Sequence, residues 1–187
     1  MEKIKVILIP GNGDSSPQDN WLPSVKAELE KLGVIVLAPQ FPDTPLAREK
    51  YWIPFLKNLG ADEHTILIGH STGAIAAMRF AESNRILGSV LVGSYVSDLG
   101  METEKLSGYF DRPWNWGAIK KNQTFIIQFA STDDQWIPIA EARAVHGSLN
   151  TEYYEFTDKG HFIGRCYNPT FPELVEAVSK KIQALSK

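Results

Sequence analysis

The stretch Ile66-Leu67-Ile68-Gly69-His70-Ser71-Thr72-Gly73-Ala74-Ile75-Ala76-Ala77-Met78 opens as a continuous apolar run, breaks at two glycines that bracket a serine, and resumes as small apolar residues. Its first part reads as a strand buried on both faces, its last part as a helix lying close on a sheet. Between them, Gly69-His70-Ser71-Thr72-Gly73 is a G-x-S-x-G pattern at a strand-to-helix turn, the setting in which a nucleophilic serine is displayed. The reason is steric. A sharp turn holds the serine in a strained backbone conformation and projects its hydroxyl outward, and flanking side chains would collide with neighbouring strands. The helix behind adds a partial positive charge and free N–H groups. The same residues also fit an N-cap serine between packing glycines, so the motif needs support from the rest of the chain.

Working outward, apolar runs predict strands at 4–10, 34–38, 65–68, 89–92, 125–129 and 153–156. Helical spacing predicts helices at 21–32, 47–59, 71–84, about 139–148, and 172–185, with Pro54 predicting a kink or break in the second. Strands alternating with helices imply a parallel sheet covered on both sides, a three-layer α/β/α sandwich. With 187 residues the chain is expected to form a single domain, 1–187. In such sheets ligands gather beyond the carboxyl ends of the strands, so function is sought there.

Ser71 follows the third strand. A serine hydroxyl is a weak nucleophile until a base and an orienting group are supplied. His161, in Asp158-Lys159-Gly160-His161-Phe162, follows the sixth strand and is the expected base. His64 precedes strand three, at the wrong end of the sheet; His146 falls within a helix; His70, beside Ser71 on a tight turn, should point elsewhere. After the fifth strand come Asp133 and Asp134, of which Asp134, just before Ile137-Pro138, is the preferred orienting carboxylate. Asp133 is expected to cap the loop, and Asp158 and Asp98 are outside candidates. The backbone N–H groups of Thr72 and of Asn12, in the Gly11-Asn12-Gly13 loop after strand one, are the expected oxyanion donors. That loop lacks the third glycine of a dinucleotide cradle and the lysine of a P-loop.

Composition narrows the classes. The net charge is −3 with no Lys/Arg block, which leaves nucleic acid and anionic membrane unsupported as partners. The single cysteine, Cys166, permits no intrachain disulfide and fits a cytoplasmic protein. The run 6–10 is too short for a signal or membrane segment. The histidines and cysteine lack metal-ligand spacing, and neither a metal nor another cofactor is expected.

The order Ser71, Asp134, His161 is that of the α/β-hydrolases, and the chain resembles their superfamily and, within it, the small serine hydrolases of the retinoblastoma-binding protein 9 family. The resemblance covers nearly the whole chain: Pro10-Gly11-Asn12-Gly13, residues 69–79, Ser97-Asp98-Leu99-Gly100, Ser107-Gly108-Tyr109-Phe110, Arg112-Pro113-Trp114-Asn115-Trp116, Ser131-Thr132-Asp133-Asp134 and Gly160-His161-Phe162. It implies a compact six-stranded parallel sheet, without the extra antiparallel strands of larger relatives, and a Ser-Asp-His triad mapped onto Ser71, Asp134 and His161. It supplies no natural substrate. Retinoblastoma-type binding is not expected, because Leu59-Gly60-Ala61-Asp62-Glu63 has alanine where a Leu-x-Cys-x-Glu motif needs cysteine.

Residues 94–117 form the longest irregular stretch, too short for a lid domain but rich in aromatics: Tyr95, Tyr109, Phe110, Trp114 and Trp116. They can wall an acyl or aryl pocket, or simply pack the loop on the sheet. Arg112 can tie that loop to an acidic neighbour or meet a carboxylate substrate. The expected activity is metal-independent hydrolysis of small esters or amides through an acyl-enzyme on Ser71, of carboxylesterase type. A weakly active or non-catalytic binding module on the same fold, and an acyltransferase, are the rival readings.

Overall fold

The apolar runs form six strands: β1 (Lys5–Ile9), β2 (Ile35–Leu37), β3 (Thr65–His70), β4 (Gly88–Val92), β5 (Phe125–Ser131) and β6 (Glu152–Phe156). In the computed structural model, which describes residues 3–164 and 169–185, they make one parallel sheet in the order β2-β1-β3-β4-β5-β6. Cys166 lies outside the described residues.

Period-2 alternation divides the core between two faces. On one, Val6, Leu8, Ile66, Ile68, Val90, Val92, Ile127 and Phe129 pack against α1 (Leu22–Glu30) and α7 (Pro172–Leu185). On the other, Ile7, Ile9, Leu67 and Leu91 pack against α2 (Glu49–Asn58) and α3 (Thr72–Ser83). The chain runs outward from β1 to β2 and then returns across β1 to β3, so the sheet reverses its winding between β1 and β3. Ligands are held at such a switch point, and it is flanked by the Asn12 loop and the Ser71 turn.

Three local outcomes differ from the sequence reading. Helix α2 runs through Pro54 without a break, its two turns anchored by the fully buried Trp52 and Leu56. The strand at 65–68 continues to His70, and the one at 125–129 to Ser131. The stretch 94–117 is not wholly irregular: it holds α4 (Glu102–Ser107) and the start of α5 (Trp116–Lys121), which precede α6 (Ile139–Leu149). Arg79 of α3 binds this segment. Its guanidinium donates to the carbonyls of Tyr109, Arg112 and Pro113, pairs with Glu82, and lies 3.7 Å from the Trp114 ring centre. Arg112 forms a two-pronged ion pair with Glu49 at 2.6 and 2.7 Å, which ties the segment to α2. Among the described residues no helix is long and apolar enough to cross a membrane.

Candidate active site

At the end of β3 the backbone turns directly into α3, and Ser71 takes φ 54°, ψ −122°. For a non-glycine residue this conformation carries strain of about 1–3 kcal/mol and persists only where its surroundings enforce it. They do so here: Ser71 N–H donates to Val92 O at 2.8 Å, and Ser71 O accepts from Ala74 N–H at 2.9 Å. The bracketing glycines are required by close approach. A Cβ on Gly73 would lie 2.4 Å from Pro10 O, and one on Gly69 would lie 2.3 Å from the Gly73 carbonyl.

The β5 and β6 loops supply the other two side chains. Asp134 Oδ1 accepts the N–H groups of Trp136 and Ile137 at 2.8 and 2.9 Å, leaving Oδ2 to accept His161 Nδ1–H at 2.7 Å. A neutral His161 with its proton on Nδ1 carries a free lone pair on Nε2. Asp133 does the structural work expected of it. Its Oδ1 accepts from Ser131 Oγ and from Gly160 N–H at 2.9 Å, stapling the β5 loop to the loop that carries His161. Gly93, at φ +61°, directly follows β4 beneath the pair, where a Cβ would lie 3.2 Å from His161 Cε1.

His70 belongs to the site, although its place beside Ser71 suggested otherwise. Its Nε2–H donates to the His161 carbonyl at 2.8 Å, and its ring centre lies 4.9 Å from that of His161. Its pKa is lowered to about 3, first by burial and then by the nearby His161, against the opposing pull of the His161 carbonyl and Asp134. It is therefore a neutral strut under the loop that carries His161.

Ser71 and His161 open on a shared cavity of about 490 Å³. Its apolar wall includes Leu99, Met101, Trp136, Ile137 and Ile163, none of which the sequence reading assigned to a pocket. Their only sequence signal is proximity to strand ends. Apart from the two histidines and the Tyr95 phenol, Glu104 is the one ionisable group among the described lining residues. Of the five aromatics considered, Tyr95 lines the cavity and the others do not. Tyr109 is wholly buried in the core, Phe110 stacks behind Tyr95, and Trp114 and Trp116 stack on each other away from the opening. The packing role applies to these four because Arg79 draws their segment down onto α3.

Asn12 also lines the cavity, and Thr72 is fully buried beside it. Among the described residues, neither backbone N–H donates to a protein acceptor, which leaves both free.

The sheet order, the strained serine turn and the His–Asp pair over an apolar cavity define an α/β-hydrolase. The ydeN gene product of Bacillus subtilis has this fold with a TM-score of 0.88 at 22% identity, covering 97% of this chain and 100% of that one. Est1E from Butyrivibrio proteoclasticus, in its ferulic acid-bound structure, has it with a TM-score of 0.75 at 14% identity, covering 98% and 90%. The family model described as Serine hydrolase matches residues 6–178, and Serine hydrolase RBBP9 of Rattus norvegicus is 45% identical over 181 residues, 95% of each chain. The chain belongs to the serine hydrolase family.

Proposed function

We propose that the protein is a carboxylesterase-type serine hydrolase whose acyl-enzyme forms on Ser71. His161 Nε2 accepts the serine proton as Ser71 Oγ attacks the carbonyl carbon, and then protonates the leaving alcohol. Asp134 holds the imidazole in the tautomer that leaves Nε2 bare and stabilises the imidazolium. The Thr72 and Asn12 N–H groups stabilise the tetrahedral oxyanion. Water, activated in turn by His161, releases the acid. The observation that carries this reading is the 2.7 Å His161–Asp134 contact beside a strained serine on the same cavity.

What supports an ester of modest size is the cavity: about 490 Å³, walled by aliphatic side chains and Trp136, with no lysine or arginine among its described lining residues to bind an anionic substrate. A single-domain, cytoplasmic enzyme fits the continuous sheet and the single cysteine. The test is twofold. Purified protein is assayed on p-nitrophenyl esters of graded acyl length and labelled with a fluorophosphonate probe, with Ser71→Ala as control. Ester cleavage with a label that disappears in Ser71→Ala is expected. Folded protein that neither cleaves nor labels would favour a non-catalytic module instead.

A further inference from the structure

Glu104 is the buried acid on which the two proposed oxyanion elements converge. It sits in α4, is 3% exposed, and its carboxylate faces the cavity rather than solvent. Oε1 accepts from Asn12 Nδ2 at 2.6 Å, and Oε2 accepts from the Tyr95 hydroxyl at 2.6 Å. The Tyr95 oxygen in turn accepts from Thr72 Oγ1 at 3.0 Å, a direction forced by the carboxylate, which can only accept. The single Thr72 proton is shared between that oxygen and Glu104 Oε1, the farther acceptor at 3.5 Å. One side chain thus joins the loop after β1 to the turn after β3, over sequence separations of 92 and 32 residues.

We propose that Glu104 is a positioning residue of the oxyanion site: it sets the separation of the Asn12 and Thr72 backbone N–H groups by tethering both of their side chains. The proposal rests on the reading of those two N–H groups as oxyanion donors to Ser71 chemistry. Nothing else described holds the Asn12 side chain; its backbone is held within the loop by Ser15 Oγ–H, which donates to the Asn12 carbonyl at 2.7 Å, and it lies between two glycines, Gly13 taking φ +74°. Donors aimed at the developing oxyanion work only if their positions are set before reaction. Burial raises the Glu104 pKa, while the hydrogen bonds from Tyr95, Asn12 and Thr72 oppose the shift. An acid kept at that desolvation penalty has three polar partners at this one place.

The test uses Glu104→Met, Tyr95→Phe and the exchange Asn12→Asp/Glu104→Gln in the full chain, with folding checked by circular dichroism. In Glu104→Met no acceptor faces the Asn12 NH2 or the Tyr95 hydroxyl, and the tether is lost. In the exchange, the amide introduced at position 104 donates to the carboxylate introduced at position 12 and still accepts from Tyr95, so the tether is rebuilt with its polarity reversed. On an ester the wild type hydrolyses, kcat in Glu104→Met should fall about tenfold or more with KM within about twofold, and affinity for an alkyl boronic acid, which forms a tetrahedral adduct with Ser71, should fall in proportion. Tyr95→Phe should act in the same direction and more weakly. The exchange should recover most of kcat and of boronate affinity. A Glu104→Met enzyme with wild-type kcat would overturn the proposal, as would reduced kcat with unchanged boronate affinity, or an exchange that restores nothing. If Glu104→Met fails to fold, Tyr95→Phe and the exchange decide by the same readouts. A wild type that neither hydrolyses esters nor labels would remove the hydrolase reading and this inference with it, whereas an active wild type indifferent to these changes removes only the inference.

Discussion

Burial of His70 gives stability a dependence on pH that can be isolated. In the folded protein its pKa is lowered to about 3, mainly by loss of water around the ring. In the unfolded chain an ordinary histidine titrates near 6.5, about 1.36 kcal/mol per unit of difference. Because the folded value is the lower one, the unfolded chain takes up the proton first. The contribution to stability is complete above pH 6.5 and drains away as pH falls toward 3. Moving from pH 8 to pH 5 spans about 1.5 units of that window, so His70 alone should remove about 2 kcal/mol. Other groups titrate over the same range, which makes the difference between wild type and His70→Gln the useful quantity. A glutamine amide can still donate to the His161 carbonyl but takes no proton. Urea denaturation of both proteins at pH 8 and pH 5 should show wild type losing about 2 kcal/mol more than the variant. Equal losses would mean that the ring is solvated or already charged in the folded state, and the strut argument would fall.

Three further outcomes follow from the site. Asp134→Asn should lower kcat by about 10⁴, because the amide favours the wrong tautomer of His161. Asp133→Asn should show a smaller effect that tracks loosening of the 160–161 loop, and kinetics on both variants would expose a reversed ranking. Gly93→Ala introduces a Cβ 3.2 Å from His161 Cε1 at a residue with φ +61°. It should reduce kcat by about tenfold or more through displacement of the ring while the protein stays folded, as measured by ester kinetics alongside thermal melting. Finally, kcat/KM should fall on acidification, since only neutral imidazole can take the serine proton, and a flat profile into acid would remove His161 as the base.

The strands were legible because a parallel sheet with both faces covered needs uninterrupted apolar runs, which stand out in a linear pattern, although the third and fifth run two residues past their expected ends. The Ser71 turn was legible for a related reason: a strand passing straight into a helix against β1 admits only glycine at positions 69 and 73, where a Cβ would meet backbone atoms at 2.3–2.4 Å. The preference for Asp134 over Asp133 rested on its place before Ile137-Pro138. The structure gives each carboxylate its partner, Asp134 meeting the imidazole and Asp133 the Gly160 N–H.

The cavity wall was not legible. Whether Tyr109 or Tyr95 faces the cavity depends on how far Arg79, 30 residues earlier in the chain than Tyr109, draws the 94–117 segment down. Glu104, in the exposed-looking string Glu102-Thr103-Glu104-Lys105, carries no local sign that it is buried beside Asn12. Sequence by itself determined the sheet, the serine turn and the candidate side chains at strand ends, because those follow from short-range periodicity and steric limits on the backbone. Only the tertiary structure decided which side chains enclose the reacting space, because that depends on contacts between segments that the chain separates by tens of residues.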